Sequence, residues 1–393
     1  ENRVFYSPDR EPAIALDVPV RHLSGLNDFS RPHPGAGPGP ALAPLPRGGT
    51  LDGHGRGVRP ASEGGGSGPP SPYGGYSWLS SDMRRAYNMG PNTGTGQVVA
   101  LMEFAGYNSA DIRKYFSSVG QVNRVPITNI VVGGGSATTW NNVNNNGEVC
   151  LDIEQVLGVA PGLKELRVYI GGEQFGSGVD ILLLNRIAND NVAKQVNNSW
   201  YWFPDDPAQD DPVFQQMAVQ GQTFVSASGD EGAYTGNDGT DGSYPGEDLH
   251  VLAVGATSLT TSGPPNQYWQ SEVVWNRFGA GSGGGPANDG MTFPIPTWQA
   301  AVVNASNRGS TLVRNTPDVA MEGDYFNYIV YNNGVQAANW GGTSFAAPRW
   351  TAYLALVNQQ LVSQGKRGGL GLINPTLYAI GRGARYNTDF HDC

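Results

Sequence analysis

Between residues 98 and 254 short apolar runs alternate with helical patterns, and this alternation restricts the fold of the chain more than any other property. Val98-Val99-Ala100-Leu101-Met102 precedes a helical Ser109 to Ser118, Ile127 to Val132 precedes Glu148 to Leu157, and Leu166 to Ile170 precedes Val179 to Ala188. Gln195 to Trp200, Val213 to Val219, Thr223 to Ala227 and Val251 to Val254 continue the series. Strands that are apolar along their whole length need cover on both faces. The pattern therefore predicts an α/β fold with a mostly parallel sheet and helices on both sides. Functional groups in such folds collect at the carboxyl ends of the strands.

The chain ahead of this series is different. Residues 1 to 32 read as short strands and turns, among them Val4-Phe5-Tyr6 and the Ser7-Pro8-Asp9-Arg10 turn. From 33 to 75 the composition shifts to Gly, Pro, Ala and Ser, as in Gly64-Gly65-Gly66-Ser67-Gly68-Pro69-Pro70. Such a stretch offers little apolar surface to offset its ordering entropy, so a mobile linker is expected. Up to Ser80 seven arginines balance seven acidic residues, which leaves the whole net charge of −10 to the remainder and places a domain boundary there. With no basic cluster, nucleic acid is a poor partner. No apolar run approaches the roughly 18 residues of a membrane span. Cys150 and Cys393 are too few for a disulfide framework or a cysteine metal cluster. The start at Glu1 and the stop at Cys393 lead us to expect a processed or incomplete chain.

Gly341-Gly342-Thr343-Ser344 sets a serine at the start of an apolar helical pattern that includes Ala347, Trp350, Leu354 and Val357. A hydroxyl there is either a helix cap or a nucleophile favoured by the helix N-terminus. A nucleophile needs a base. None of the five histidines, His22, His33, His54, His250 and His391, has a motif around it, so a carboxylate is the better candidate. In Gly147 to Leu157 the residues Val149, Ile153, Val156 and Leu157 form a core stripe, while Glu148, Asp152 and Gln155 share another face. That face is either a solvated acidic surface or a coupled carboxyl pair that shares a proton. Thr223 to Gly232 runs an apolar strand into Ser228-Gly229-Asp230, either an Asp-containing turn or a carboxyl placed to stabilise an oxyanion. The second role requires a protonated acid, and so acidic conditions.

Glu-x-x-x-Asp at Glu148 to Asp152, Ser-Gly-Asp at 228 to 230 and Gly-Thr-Ser-x-x-x-Pro at Gly342 to Pro348 occur in the order seen in the sedolisins, or serine-carboxyl peptidases, which this chain resembles over residues 76 to 393. The resemblance implies a subtilisin-like fold and an acid-acting endopeptidase working through an acyl-enzyme. It implies Ser344 as nucleophile, Glu148 as general base, Asp152 as its partner and Asp230 as oxyanion stabiliser. Glu103 and Trp200 look like extensions of the proton network. Val274-Trp275-Asn276 and the following glycine-rich run, with Ser282, Gly283 and Gly284, look like a substrate-binding edge to which an extended peptide could add. Residues 1 to 32 resemble the end of a prodomain, 33 to 75 an activation linker and 76 to 393 the catalytic domain. Phe390-His391-Asp392-Cys393 resembles the start of the family's Ca²⁺ site, with Asp392 giving a carboxylate and Cys393 a carbonyl, although the six to eight oxygens such an ion takes are not all supplied. A secreted monomer acting on polypeptides, with its own prodomain as a partner, is expected. The alternatives are a tripeptidyl aminopeptidase of the same family or a non-catalytic peptide-binding relative. Asn197-Asn198-Ser199 and Asn304-Ala305-Ser306 also match the glycosylation triplet.

Overall fold

The apolar runs become neighbours in one eight-stranded sheet. Its order is Trp269–Val274, Val251–Thr261, Thr223–Ala227, Gln195–Asn198, Val98–Glu103, Glu165–Ile170 and Ile127–Val131, with Val319–Glu322 also joined to Val251–Thr261. Only the Trp269–Val274 pairing is antiparallel; every other pairing in the sheet is parallel. The chain is described in a computed structural model over residues 31–40, 64–172, 178–203, 207–233, 244–263, 267–287, 293–304 and 306–393. The expected strands and turns of residues 1–30, and the linker residues 41–63, lie outside the described residues.

Every residue of Val98–Glu103 and of Thr223–Ala227 is buried, as continuous apolar strands demand. Burying each large side chain contributes about 1.5–3 kcal/mol. The helices fall where the periodicity predicts them: Ser109–Ser118, Val143–Val159, Val179–Asp190 and Pro207–Val219. Val143–Val159 starts at Asn142, whose side chain accepts the Asn144 N–H at 2.8 Å, so the expected Glu148 to Leu157 stretch is the inner part of a longer helix. It packs against the helix Thr343–Ser363, which in turn lies on the central strands. Sandwiched this way, Val143–Val159 has no solvated acidic face. Glu148, Asp152, Glu154 and Gln155 are all fully buried.

The Gly/Pro-rich stretch departs from the mobile linker expected of it in both of its described parts. Arg31–Pro34 pairs antiparallel with Trp200–Phe203, and Gly37–Pro38 pairs antiparallel with Trp340–Gly341. Gly64–Gly65 pairs with Gly75–Tyr76, and Trp78 N–H donates to the Phe326 carbonyl at 2.7 Å. Composition alone counts side-chain burial. Here main-chain hydrogen bonds to existing strand edges do the ordering.

Val98–Glu103 is the strand from which the chain winds both ways, through 165–170 to 127–131 on one side and through 195–198 outward on the other. A crevice opens at such a reversal, at the strands' carboxyl ends. Glu103 ends one of the two strands at this point, and Ser199 and Trp200 follow the other.

Candidate active site

Ser344 is the second residue of Thr343–Ser363 and is fully buried. The turn before it depends on glycine: Gly342 has φ 148°, and a Cβ on it would lie 2.5 Å from Asp230 Oδ2. The Ser344 hydroxyl donates to the Ser199 carbonyl at 3.3 Å and lies close enough to Glu148 to favour that carboxylate. Glu148 Oε2 accepts the Ala36 N–H at 2.8 Å, while its Oε1 is buried without a hydrogen-bond partner.

One turn along the same helix, Asp152 accepts from the Ser199 hydroxyl and from Asn197 Nδ2, both at 2.7 Å. Beyond it lies Glu103, held by Trp200 Nε1 at 2.8 Å and close enough to Asp152 for the two carboxyls to share a proton. Burial pushes all three acids up. Glu103 rises to about 8 through desolvation, partly offset by the Trp200 hydrogen bond. Asp152 is raised by desolvation and then by the charge of Glu103, and Glu148 by desolvation and then by the charge of Asp152. A row of carboxyls without a cation among them cannot ionise fully, so it holds protons that can shift along it.

Asp230 meets the Gly342-Thr343 turn that carries Ser344. Its Oδ1 accepts from Thr343 N–H at 2.7 Å and from the Thr343 hydroxyl at 2.8 Å, which leaves Oδ2 directed at Gly342. The residue keeps some exposure, but its carboxyl is enclosed by protein. Desolvation raises it to about 7, against the lowering effect of the two Thr343 bonds. A neutral carboxyl next to the nucleophile can donate a hydrogen bond to a developing oxyanion.

The structure thus brings Ser344, Glu148, Asp152, Asp230, Glu103 and Trp200 together. Ser282, Gly283 and Gly284, the expected substrate-binding edge, lie beside the Asp230 turn. Gly281 N–H donates to Asp230 O at 2.8 Å, Gly283 N–H to Gly229 O at 2.6 Å and Ser282 N–H to Trp275 O at 2.9 Å. The Ala280–Pro286 strand is paired with Glu231–Ala233 on one side and with Asn276–Arg277 and Asn315–Thr316 on the other. Its main chain holds the Asp230 turn. The edges that do carry an extended segment are Trp200–Phe203 and Trp340–Gly341.

Asn197, Ser199, Thr343 and Trp340 are further residues of the site that motif reading did not assign. Asn197 is fully buried against Asp152, so its glycosylation triplet is not at the surface. The signal available was a polar Asn197-Asn198-Ser199 at the end of a buried strand, where polar side chains need partners. Two described histidines have other partners: His250 is ion-paired with Asp211 at 2.5 Å, and His391 stacks on Trp269 at 3.6 Å.

Among the described residues, Asp392 and Cys393, the expected start of a calcium site, gather no third metal-ligating side chain. Asp392 Oδ1 accepts the Tyr386 hydroxyl, and Cys393 is an exposed free thiol. Among the described residues the one cluster with metal-ligating geometry is Asp211, Asp248 and His250, and it does not include Asp392.

The chain is similar to known proteins in sequence and fold. The subtilase family model matches residues 127–366. Kumamolisin of Bacillus sp. (strain MN-32) is 34% identical over 321 residues, covering 76% of this chain and 54% of its own length. Tripeptidyl-peptidase 1 of Mus musculus is 31% identical over 179 residues, covering 42% of this chain and 29% of its own. The chain thus spans about half or less of the length of these curated relatives. Among solved structures, Pseudomonas sedolisin, a serine-carboxyl proteinase complexed with pseudo-iodotyrostatin, superposes with a TM-score of 0.66 at 26% identity, covering 78% of this chain and 85% of that one. The mostly parallel sheet, its helices and these similarities agree: the chain belongs to the subtilase family, within its sedolisin branch.

Proposed function

We propose that the chain is an acid-acting serine-carboxyl endopeptidase that hydrolyses polypeptides through an acyl-enzyme on Ser344. The observation that carries this reading is that a buried carboxyl row reaches Ser344 through Glu148 while a raised, half-bonded Asp230 holds the turn directly before the same serine. Glu148 takes the serine proton as the hydroxyl attacks the peptide carbonyl. Asp152, held by Ser199 and Asn197, orients Glu148 and passes charge to Glu103. The neutral Asp230 donates through Oδ2 to the tetrahedral oxyanion, and Glu148 returns its proton to the leaving amine; water then repeats the sequence on the ester. The carboxyl row supplies the base that histidine supplies elsewhere, and Asp230 ties activity to a pH below about 7.

The endopeptidase reading is favoured over release of tripeptides by the path of residues 31–40. Arg31–Pro34 lies along Trp200–Phe203 on one side of Ser344, and Gly37–Pro38 lies along Trp340–Gly341 on the other. A cleft that carries extended chain for four residues on its amino side is not closed after three. Residues 1–32 would then be a prodomain remnant and 33–75 an activation linker, so that the chain is a precursor of a secreted enzyme; the acid setting this chemistry needs fits such a location. No described helix is long and apolar enough to cross a membrane.

The test is hydrolysis of an amino-blocked polypeptide. Wild-type chain should cut it internally with a maximum of kcat/KM below pH 7, and Ser344→Ala and Glu148→Gln should abolish cutting while keeping the fold. A maximum at or above pH 7, or full activity in Ser344→Ala, would sink the assignment.

A further inference from the structure

We infer that the chain's own Gly35–Ala36 peptide bond is the first substrate of this site, and that the cleft is built to cut after glycine and before a small apolar residue. The inference rests on the peptidase reading above and extends it to one bond and two subsites.

The register around Ser344 singles out that bond. Gly35 N–H donates to the Ser199 carbonyl at 3.0 Å, the same carbonyl that receives the Ser344 hydroxyl. The next amide, Ala36 N–H, donates to Glu148 Oε2 at 2.8 Å. Gly39 N–H donates to the Asn339 carbonyl at 2.8 Å. Ala36 is thus the residue whose nitrogen faces the group that must protonate a leaving amine. The Gly35 carbonyl oxygen lies on the oxyanion side: it is 2.9 Å from the position a Cβ on Gly342 would occupy, and Asp230 Oδ2 is 2.5 Å from that same position. Nucleophile, acid for the leaving group and oxyanion donor therefore surround one peptide unit. Upstream, His33 stacks on Tyr201 at 5.3 Å, so the segment is seated by side chain as well as by main chain.

The two residues of the bond report the subsites. A Cβ on Gly35 would come within 2.6 Å of Ser344 Oγ and 2.9 Å of the Ser199 carbonyl, so any larger residue must push the segment off this path. The Ala36 methyl is buried in a cup formed by Leu151, Ile329, Trp340 and Phe345. Two of the four side chains of that cup are aromatic rings, which limit the size of the residue that fits there.

Cleavage follows the same steps as on any substrate. Ser344 Oγ bonds to the Gly35 carbonyl carbon as its proton passes to Glu148. The Gly35 C–Ala36 N bond then breaks as Glu148 protonates the nitrogen, and one water hydrolyses the ester. The products are a chain ending in Gly35 carboxylate and a chain beginning with the Ala36 amine.

Intact-mass analysis of the full chain after incubation between pH 3 and 6, with an unrelated unfolded polypeptide present as a control substrate, tests this. The expected result is a cut between Gly35 and Ala36 that Ser344→Ala lacks and that Ala36→Trp or Gly35→Leu slows at least 10-fold. The synthetic decapeptide of residues 31–40, RPHPGAGPGP, should be cut at the same bond. Hydrolysis of the control polypeptide with the Gly35–Ala36 bond intact in both chain and decapeptide would overturn the inference and leave the peptidase reading standing. Failure to cut chain, decapeptide and control alike would overturn both.

Discussion

A carboxyl can hold an oxyanion only if it still carries its proton when the substrate carbonyl arrives. At Asp230 this depends on how few donors surround it. Thr343 supplies two hydrogen bonds to one oxygen, which lower its proton affinity, yet desolvation outweighs them and the group stays neutral up to about pH 7. Asp230→Ala should therefore lower kcat by about 10²–10³-fold, the usual cost of losing one oxyanion donor. Asp230→Asn separates donation from ionisation. Its amide can donate at any pH, so the variant should keep more activity than the alanine and lose the alkaline fall near pH 7. A pH–rate profile of kcat/KM in which the asparagine variant falls at the same pH as wild type would assign that limb to another group. The same position shows what sequence could convey. Ser228-Gly229-Asp230 at a strand end marked the residue, but the partner that leaves Oδ2 free, Thr343, lies 113 positions away and is seen only once the two turns meet.

The two helices that bring these groups together are held in register by a buried polar clamp remote from the chemistry. Arg349, one and a half turns after Ser344, donates to Glu322 Oε2 at 2.5 Å and to the Glu322 carbonyl at 2.7 Å. Its Nε donates to Gln155 Oε1 at 2.9 Å, which ties Thr343–Ser363 to Val143–Val159. Neither Arg349 nor Glu322 has side-chain exposure. Truncating one partner strands a buried charge, so Arg349→Met should cost about 3–5 kcal/mol. Because the helix register also sets the spacing from Glu148 to Ser344, kcat should fall with it even well below the melting temperature. Denaturant unfolding and single-turnover rates on the same variant check both; unchanged stability would mean the clamp is dispensable. The elements themselves were legible, since apolar periodicity reports strands and helices that are buried. Ser109–Ser118 and Thr223–Ala227 emerge with the bounds that the pattern predicts. What periodicity could not convey was which polar residues are buried as well. Glu148, Asp152 and Gln155 read as one face of a helix, but a helix enclosed on all sides has no outer face. The Gly/Pro stretch was opaque for the opposite reason: much of its order comes from main-chain pairing, which leaves little mark in side-chain chemistry.

Across the whole molecule the buried acids make stability depend on pH in one direction. Glu103 and Asp230 bind protons in the folded state up to about pH 8 and about pH 7, whereas unfolded carboxyls release them near 4. Between those limits the folded chain holds more protons than the unfolded one, so stability falls as pH rises. Their contribution is complete below the unfolded values and gone above the folded ones. His250 acts in the same direction. Asp211 and Asp248 raise it to about 9, so its contribution is present below its unfolded value near 6.5 and is lost as pH rises through 9. Asp211 works the other way: its pairing with His250 lowers it, and that contribution is lost only as pH falls through its folded value, below the ordinary range for aspartate. The net charge of −10 at neutrality adds self-repulsion on the alkaline side. The melting temperature of Ser344→Ala, a variant expected not to digest itself, should therefore be highest near pH 4 and drop by several °C by pH 8, the shift per kcal/mol for a chain this long being below the roughly 2–4 °C of a 150–250-residue domain. Glu103→Gln should flatten that slope, since the amide has no proton to release. A melting temperature that climbs from pH 4 to 8, or a Glu103→Gln variant with the slope of its parent, would show that the buried row is not what binds the fold to acid.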